Sequence, residues 1–233
     1  MSTTTLHYLY DPLCGWCYGA APLVAAAREV LPVRAHGGGM MAGDSRQPVT
    51  PQLRDYVMPH DRRIAVLTGQ PFGEAYFEGL LRDASAVFDS APPTAAMLAA
   101  DKLAGRGLDL ISRLQIAHYV EGRRIADRDV LIEMAGVIGL DPTAFALAMD
   151  EAQGEALHSH IAETRRLMER VGARGFPSFA LECDGQFSLL DAGAFLGRPP
   201  ALRDWLRAQL PDDVASAGSM TTDFACGPDG CSI

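Results

Sequence analysis

No apolar run in this chain approaches the ~18 residues that would suggest a membrane span. No block of Lys or Arg appears, and the formal net charge is −9. Together these absences argue against nucleic acid or an anionic membrane as partner. Met1 to Thr5 carry no basic side chain, and the first apolar run is too short for the core of a signal peptide. The cytoplasm is therefore the expected compartment. No internal repeat of solenoid period is visible. What remains is ordinary for a globular protein: 233 residues, 48% of them apolar, enough for one large domain or two small ones. The five cysteines are informative, because a cytosolic chain of this size uses cysteine for reactivity or metal binding more than as a structural staple. They fall as Cys14 with Cys17, Cys183 alone, and Cys226 with Cys231.

Cys14-Gly15-Trp16-Cys17 directly follows an apolar, strand-like run (Leu6 to Tyr10) and an Asp11-Pro12 turn. A helix-like stretch from Ala20 to Leu31 comes after it. Two thiols at this spacing on a strand-to-helix corner suit dithiol–disulfide chemistry. The first lies where unpaired helix N–H groups and the helix dipole favour a thiolate, and the second is close enough to form a disulfide. By itself C-x-x-C also fits half of a zinc knuckle.

Along the chain the N-terminal part reads β–α–β. Thr4 to Tyr10 is rich in β-formers. Ala20, Leu23, Val24, Ala27, Val30 and Leu31 repeat as one helix face, and Val33 to His36 is a second strand. Pro22 falls inside the helix pattern and should kink it one turn beyond the cysteines. From about Pro48 to Val171 the pattern is helix after helix, with starts near Pro51, Gly73, Pro93, Leu108, Asp127, Asp141 and Glu151. Asp141-Pro142 is an N-cap followed by proline in the first turn. Strand character returns at Ser178 to Cys183 and Gln186 to Leu190, joined by Asp184-Gly185, a strong hairpin signal. A final helix spans Pro200 to Leu210, with Trp205 and Leu206 on its apolar side. Beyond Pro211 the residues are small and polar, as in a mobile tail.

This order, with the cysteine pair after the first strand, resembles a thioredoxin fold interrupted by a helical domain, the architecture of the DsbA family. The segment Asp11-Pro12-Leu13-Cys14-Gly15-Trp16-Cys17-Tyr18 is most similar to the FrnE-like branch. The resemblance implies an α/β, thioredoxin-like fold with a large all-helical domain inserted after the second strand. Residues 1–47 and 173–211 would form the thioredoxin-like part, 48–172 the insertion and 212–233 a tail. Its second anchor is Gly175-Phe176-Pro177-Ser178, because such oxidoreductases carry a cis-proline facing the cysteines, and Pro177 is the matching position. Two departures stand out. Tyr8 occupies the place of the buried carboxylate that assists the second cysteine in thioredoxin. Phe176, before the proline, is larger than the residues frequent there.

The expected activity is that of a protein-disulfide oxidoreductase or isomerase with no cofactor. Cys14 attacks and Cys17 resolves, with Gly15, Trp16, Phe176 and Pro177 as site neighbours. Its partners would be thiols and disulfides, either protein or small molecules such as glutathione. The direction of exchange is not legible. Two alternatives stand beside it: a glutathione-linked isomerase or transferase of the hydroxychromene-carboxylate isomerase or kappa type, and a non-catalytic redox-sensing adaptor. The former relatives carry a lone serine where this chain retains two cysteines.

Cys226-Gly227-Pro228-Asp229-Gly230-Cys231 suits a type I turn that brings two thiols into bonding range. A flexible tail of about 13 residues explores on the order of 20 Å, enough to exchange with Cys14 and Cys17. An inert tail and a four-cysteine zinc site compete with this shuttle. Cys183 reads as a buried, inert thiol, and His118 as a core or boundary histidine. His158 and His160 fall on different helix faces, against a shared metal. Met40-Met41 suits either a substrate groove or gap-filling. Arg123-Arg124 and Arg165-Arg166 read as solvated helix faces.

Overall fold

The structure, a computed structural model, describes residues 4–210. Every position from Leu6 to Tyr10 is buried, so β1 (Thr4–Tyr10) is covered on both faces and takes an inner place in the sheet. Its parallel neighbour is β2 (Val33–Gly37), with Leu6 opposite Val33 and Tyr10 opposite Gly37. On its other side runs antiparallel β5 (Ser178–Cys183), with Thr4 opposite Cys183 and Leu9 opposite Ser178. β6 (Gln186–Leu190) completes the order β2-β1-β5-β6. The hairpin turn between the last two has positive φ at Asp184 (49°) and Gly185 (80°), as a type I′ turn requires.

The helix expected over Ala20 to Leu31 is α2 (Ala21–Arg28), and a separate short helix, α1 (Gly15–Gly19), precedes it. The break has the cause expected of Pro22, displaced to the first turn of the second helix. Proline offers no N–H to the Tyr18 carbonyl four residues back, and Gln70 Nε2 donates to it instead at 2.9 Å. Helical structure thus begins immediately after Cys14.

Between the second and third strands of the sheet come α3 (Pro51–Thr68), α4 (Ala91–Ala104), α5 (Gly107–Tyr119), α6 (Arg128–Val137), α7 (Pro142–Glu151) and α8 (Glu155–Val171). A two-residue ladder of β3 (Gln47–Pro48) and β4 (Val87–Phe88) ties the first of them down. The caps follow from local chemistry: Thr50 accepts from the Leu53 amide, and Asp141 from the Ala144 amide at 2.8 Å. The fold is therefore α/β with a helical insertion.

Two further helices and one residue depart from expectation. The helix expected near Gly73 is a π turn (Ala75–Gly79) followed by a 3₁₀ turn (Leu80–Arg82). Here the Gly73 amide donates to the Tyr119 carbonyl at 2.8 Å, and a Cβ on Gly122 would overlap the Ala75 carbonyl. Backbone this close to α5 leaves no room for a regular helix. The helix expected from Glu151 begins at Glu155, because Gly154 adopts φ 62° and separates it from α7. Cys183 is half-buried rather than buried, beside the Thr4 hydroxyl.

Two layers enclose the sheet. On one side Tyr8 stacks between Tyr10 and Phe179 beneath α1 and α2. On the other, Met168 of α8 packs on Leu9 and Ala180. The last helix, α9 (Pro199–Ala208), is shifted by a residue or two from expectation and buries Leu202 and Leu206, with Trp205 half-buried against Phe195.

Candidate active site

The end of β1, the start of α1 and the start of β5 converge on the two thiols. Cys17 is fully buried (0% exposed) and Cys14 nearly so (7%). The Phe176–Pro177 peptide is cis, and the Cys14 thiol donates to the Phe176 carbonyl at 3.5 Å. Phe176 in turn lies on a bare backbone, since a Cβ at Gly38 would overlap its ring. Part of the triple glycine therefore exists to seat this ring. Trp16 is half-buried beside the thiols.

Burial pushes the Cys17 thiol well above its usual range, and the adjoining Cys14 thiol adds to this. The Asp11 amide acts in the opposite sense, donating to Cys17 Sγ at 3.5 Å. Tyr8, in the place of the thioredoxin carboxylate, is also buried. Its hydroxyl donates to the Cys17 carbonyl at 3.1 Å, and burial raises it well beyond the normal range, so it stays neutral.

The carboxylates around the site come from elsewhere, and sequence reasoning passed over both. Asp11, taken only as part of a turn, is fully buried. Its Oδ1 accepts from the Leu13 amide (2.9 Å) and the Ser90 hydroxyl (2.8 Å), and its Oδ2 from the Met40 amide (2.6 Å). Burial raises its pKa, and these donors pull it back down. Met40 thus serves this site through its backbone.

Asp61 of α3 is 4% exposed. Its Oδ2 accepts from the Tyr76 hydroxyl at 2.9 Å, and a Cβ on Gly15 would overlap its Oδ1. Burial pushes its pKa up to about 7, with the Tyr76 bond opposing. One signal was available: Leu53, Val57, Asp61, Ile64 and Thr68 share one helix stripe, and only one of them is charged. Nothing local pointed to Tyr76, which the π turn delivers.

Arg165 is also misplaced by its sequence. Instead of a purely solvated position it donates to the Gly38 carbonyl at 2.7 Å and sits 5.4 Å from the Phe176 ring centre. His118 is buried among Tyr76, Phe88 and Tyr119, and burial lowers its pKa to about 3. His160 faces the sheet and accepts from the Gly37 amide, while His158 is exposed. Cys183, at the far end of β5, is about 17 Å along the strand from the site. Cys226 and Cys231 lie outside the described residues. Among the described residues no group of His, Cys, Asp or Glu could hold a metal ion, and no helix is long and apolar enough to cross a membrane.

A dithiol at a strand-to-helix corner, facing a cis-proline on a sheet interrupted by helices, defines a thioredoxin-fold protein of the disulfide-exchanging class. Residues 5–197 match the DSBA-like thioredoxin domain, and the chain belongs to that family. It is similar to the cytosolic disulfide reductase DsbM from Pseudomonas aeruginosa, with 63% identity over 88% of this chain and 98% of that one and a TM-score of 0.84. A structure of the same reductase with GSH aligns over the same shares at 60% identity and a TM-score of 0.83. A putative protein disulfide isomerase from Nitrosomonas europaea shares the fold: 23% identity over 88% of this chain and 95% of that one, TM-score 0.72. No curated protein matches the chain. Family and relatives together make this protein an enzyme, a disulfide oxidoreductase.

Proposed function

We propose that the protein is a cytosolic disulfide reductase in which Cys14 attacks and Cys17 resolves, and that its substrates include small disulfides of the glutathione type. The observation that carries the assignment of roles is the asymmetry of burial: Cys17 is sealed, whereas Cys14 keeps the exposed surface and faces the Phe176 carbonyl. The similarity to a cytosolic disulfide reductase, also known in a structure with GSH, supports the direction, the compartment and the substrate type.

In the first step the Cys14 thiolate attacks one sulfur of a disulfide RSSR. A Cys14–SR bond forms, the RS–SR bond breaks, and RS⁻ departs. In the second step the Cys17 sulfur attacks Cys14. The Cys14–Cys17 bond forms, the Cys14–SR bond breaks, and RS leaves as RSH with the Cys17 proton. The substrate gains two electrons and the dithiol becomes a disulfide, which an external thiol reductant must reopen. Burial keeps Cys17 protonated until the mixed disulfide presents a leaving group. The Asp11 amide then steadies the developing charge on its sulfur. The Phe176 carbonyl gives the substrate backbone an acceptor once the Cys14 proton has gone.

Trapping tests the assignment. Reduced Cys17→Ser protein mixed with glutathione disulfide should accumulate a Cys14–glutathione adduct by intact mass and peptide mapping, and Cys14→Ser should form none. An adduct in Cys14→Ser at the wild-type rate would reverse the roles. Turnover of glutathione disulfide by Cys14→Ser equal to wild type would remove the oxidoreductase centre from this pair. A glutathione-linked isomerase would be unaffected by loss of Cys17.

A further inference from the structure

The two aromatic rings that flank the thiols each carry an arginine. Arg63 of α3 lies over Trp16, with its guanidinium carbon 5.9 Å from the ring centre. Arg165 of α8 lies over Phe176 at 5.4 Å, and its fork is fixed by bonds to the Gly38 carbonyl (2.7 Å) and the Gly39 carbonyl (3.4 Å). Both side chains are exposed. Many other arginines are matched with carboxylates, as in Arg28–Asp109, Arg113–Glu121, Arg123–Glu133 and Arg128–Asp150, and two more, Arg62 and Arg170, lie over Phe77 and Phe187 away from the thiols. Neither Arg63 nor Arg165 has a carboxylate partner within ion-pair distance among the described residues. Arg165 does act electrostatically on Asp11, but Asp11 is buried and its oxygens are taken by three donors. A chain with net charge −9 thus places two cations without ion-pair partners over the two aromatic side chains next to its thiols.

We infer that Arg63 and Arg165 are specificity-determining residues that select carboxylate-bearing small disulfides, of the charge class of glutathione disulfide, over neutral and cationic ones. The inference rests on the exchange at Cys14 described above. A cation over a π face is held in place by the ring, so it adds a directed positive field without a competing internal anion. The overall negative charge repels the same substrates at long range. Local and long-range terms oppose one another, and screening over about 8 Å at physiological ionic strength weakens the distant charges more than the adjacent ones. Because guanidinium groups take carboxylates bidentately, the pair also suits a substrate with carboxylates at both ends. Chemically the steps remain those given above: the arginines change which disulfide arrives, not which bonds form.

The test uses pre-reduced, desalted full-length protein in single turnover, so that no reductant is needed. Second-order rates of dithiol oxidation are measured with glutathione disulfide (dianionic), 2-hydroxyethyl disulfide (neutral) and cystamine (dicationic). Intrinsic reactivities of the three disulfides differ, so the readout is the change in rate ratio between proteins. In the Arg63→Gln/Arg165→Gln protein the glutathione-to-hydroxyethyl ratio should fall about tenfold at low salt, and the cystamine-to-hydroxyethyl ratio should rise. Raising salt to about 0.5 M should bring wild type close to the variant. Arg165→Lys, which keeps the charge but loses the fork, should retain most of the preference. Arg63→Gln alone, which touches no backbone bond, should show part of the loss even if the double variant folds poorly. Ratios unchanged in every variant, with wild type still oxidised by all three disulfides, would overturn the inference and leave the oxidoreductase reading intact. Failure of any disulfide to oxidise wild-type protein would overturn both.

Discussion

Replacing Asp61 with asparagine should stabilise this protein at pH 8 and do little for it at pH 4. The Asp61 carboxyl is buried, with its pKa raised from 3.8 to about 7. Below pH 4 the group is protonated in folded and unfolded chains alike, and its burial has little ionisation cost. Between about pH 4 and 7 the unfolded chain ionises while the folded one holds its proton, so stability falls as pH rises. Above pH 7 both are ionised, and the full cost of a buried carboxylate is reached. A displacement of roughly three pH units at ~1.4 kcal/mol each gives about 4 kcal/mol as an upper figure. Asparagine does not titrate and keeps an oxygen for the Tyr76 hydroxyl, which lies 2.9 Å away. The variant should therefore gain about 2–4 kcal/mol at pH 8 and remain within about 1 kcal/mol of wild type at pH 4. Urea unfolding of both proteins at several pH values, with equal m-values, measures the difference directly. Other titrating groups, including neutral His118 and His36, cancel in that difference. A wild-type-minus-variant gap that stays constant across pH 4–8, or one that favours the variant only in acid, would refute the reasoning.

Gly38→Ala places a methyl group in the Phe176 ring. It should cost about 1–3 kcal/mol and slow the oxidation of the dithiol by glutathione disulfide; unchanged melting temperature and rate would show that the ring has somewhere else to go. Asp141→Ala removes the cap that accepts from the Ala144 amide at 2.8 Å. It should cost about 1 kcal/mol, read as a melting temperature lower by about 2–4 °C, with exchange kinetics unaltered because the cap is remote from the thiols.

What could be read in advance was local. The Asp184-Gly185 hairpin, the Asp141-Pro142 cap and the apolar run of β1 each specify their own backbone. The cysteine pair and Pro177 were legible through a family pattern of the same kind, carried on short contiguous segments. What escaped depends on partners far along the chain. Asp11 needs Ser90, 79 positions away, and Asp61 needs Tyr76 and the bare face of Gly15. Arg165 resembles any solvated arginine until the fold brings the Gly38 carbonyl to it from 127 positions away. The helix expected near Gly73 failed for the same reason. Its own residues permit a regular helix, and the approach of α5 does not.

The three donors around Asp11 have a consequence for how the chain can be divided. Leu13 belongs to the corner that carries the cysteines, Met40 to the exit from β2, and Ser90 to the entry of α4. Joining β2 directly to β5 would delete two of these donors and leave a carboxylate sealed behind the thiols with one. The small sheet and its cysteine corner therefore do not amount to a minimal enzyme with a helical ornament. The ornament completes the wall behind the chemistry, and the two have to be inherited together.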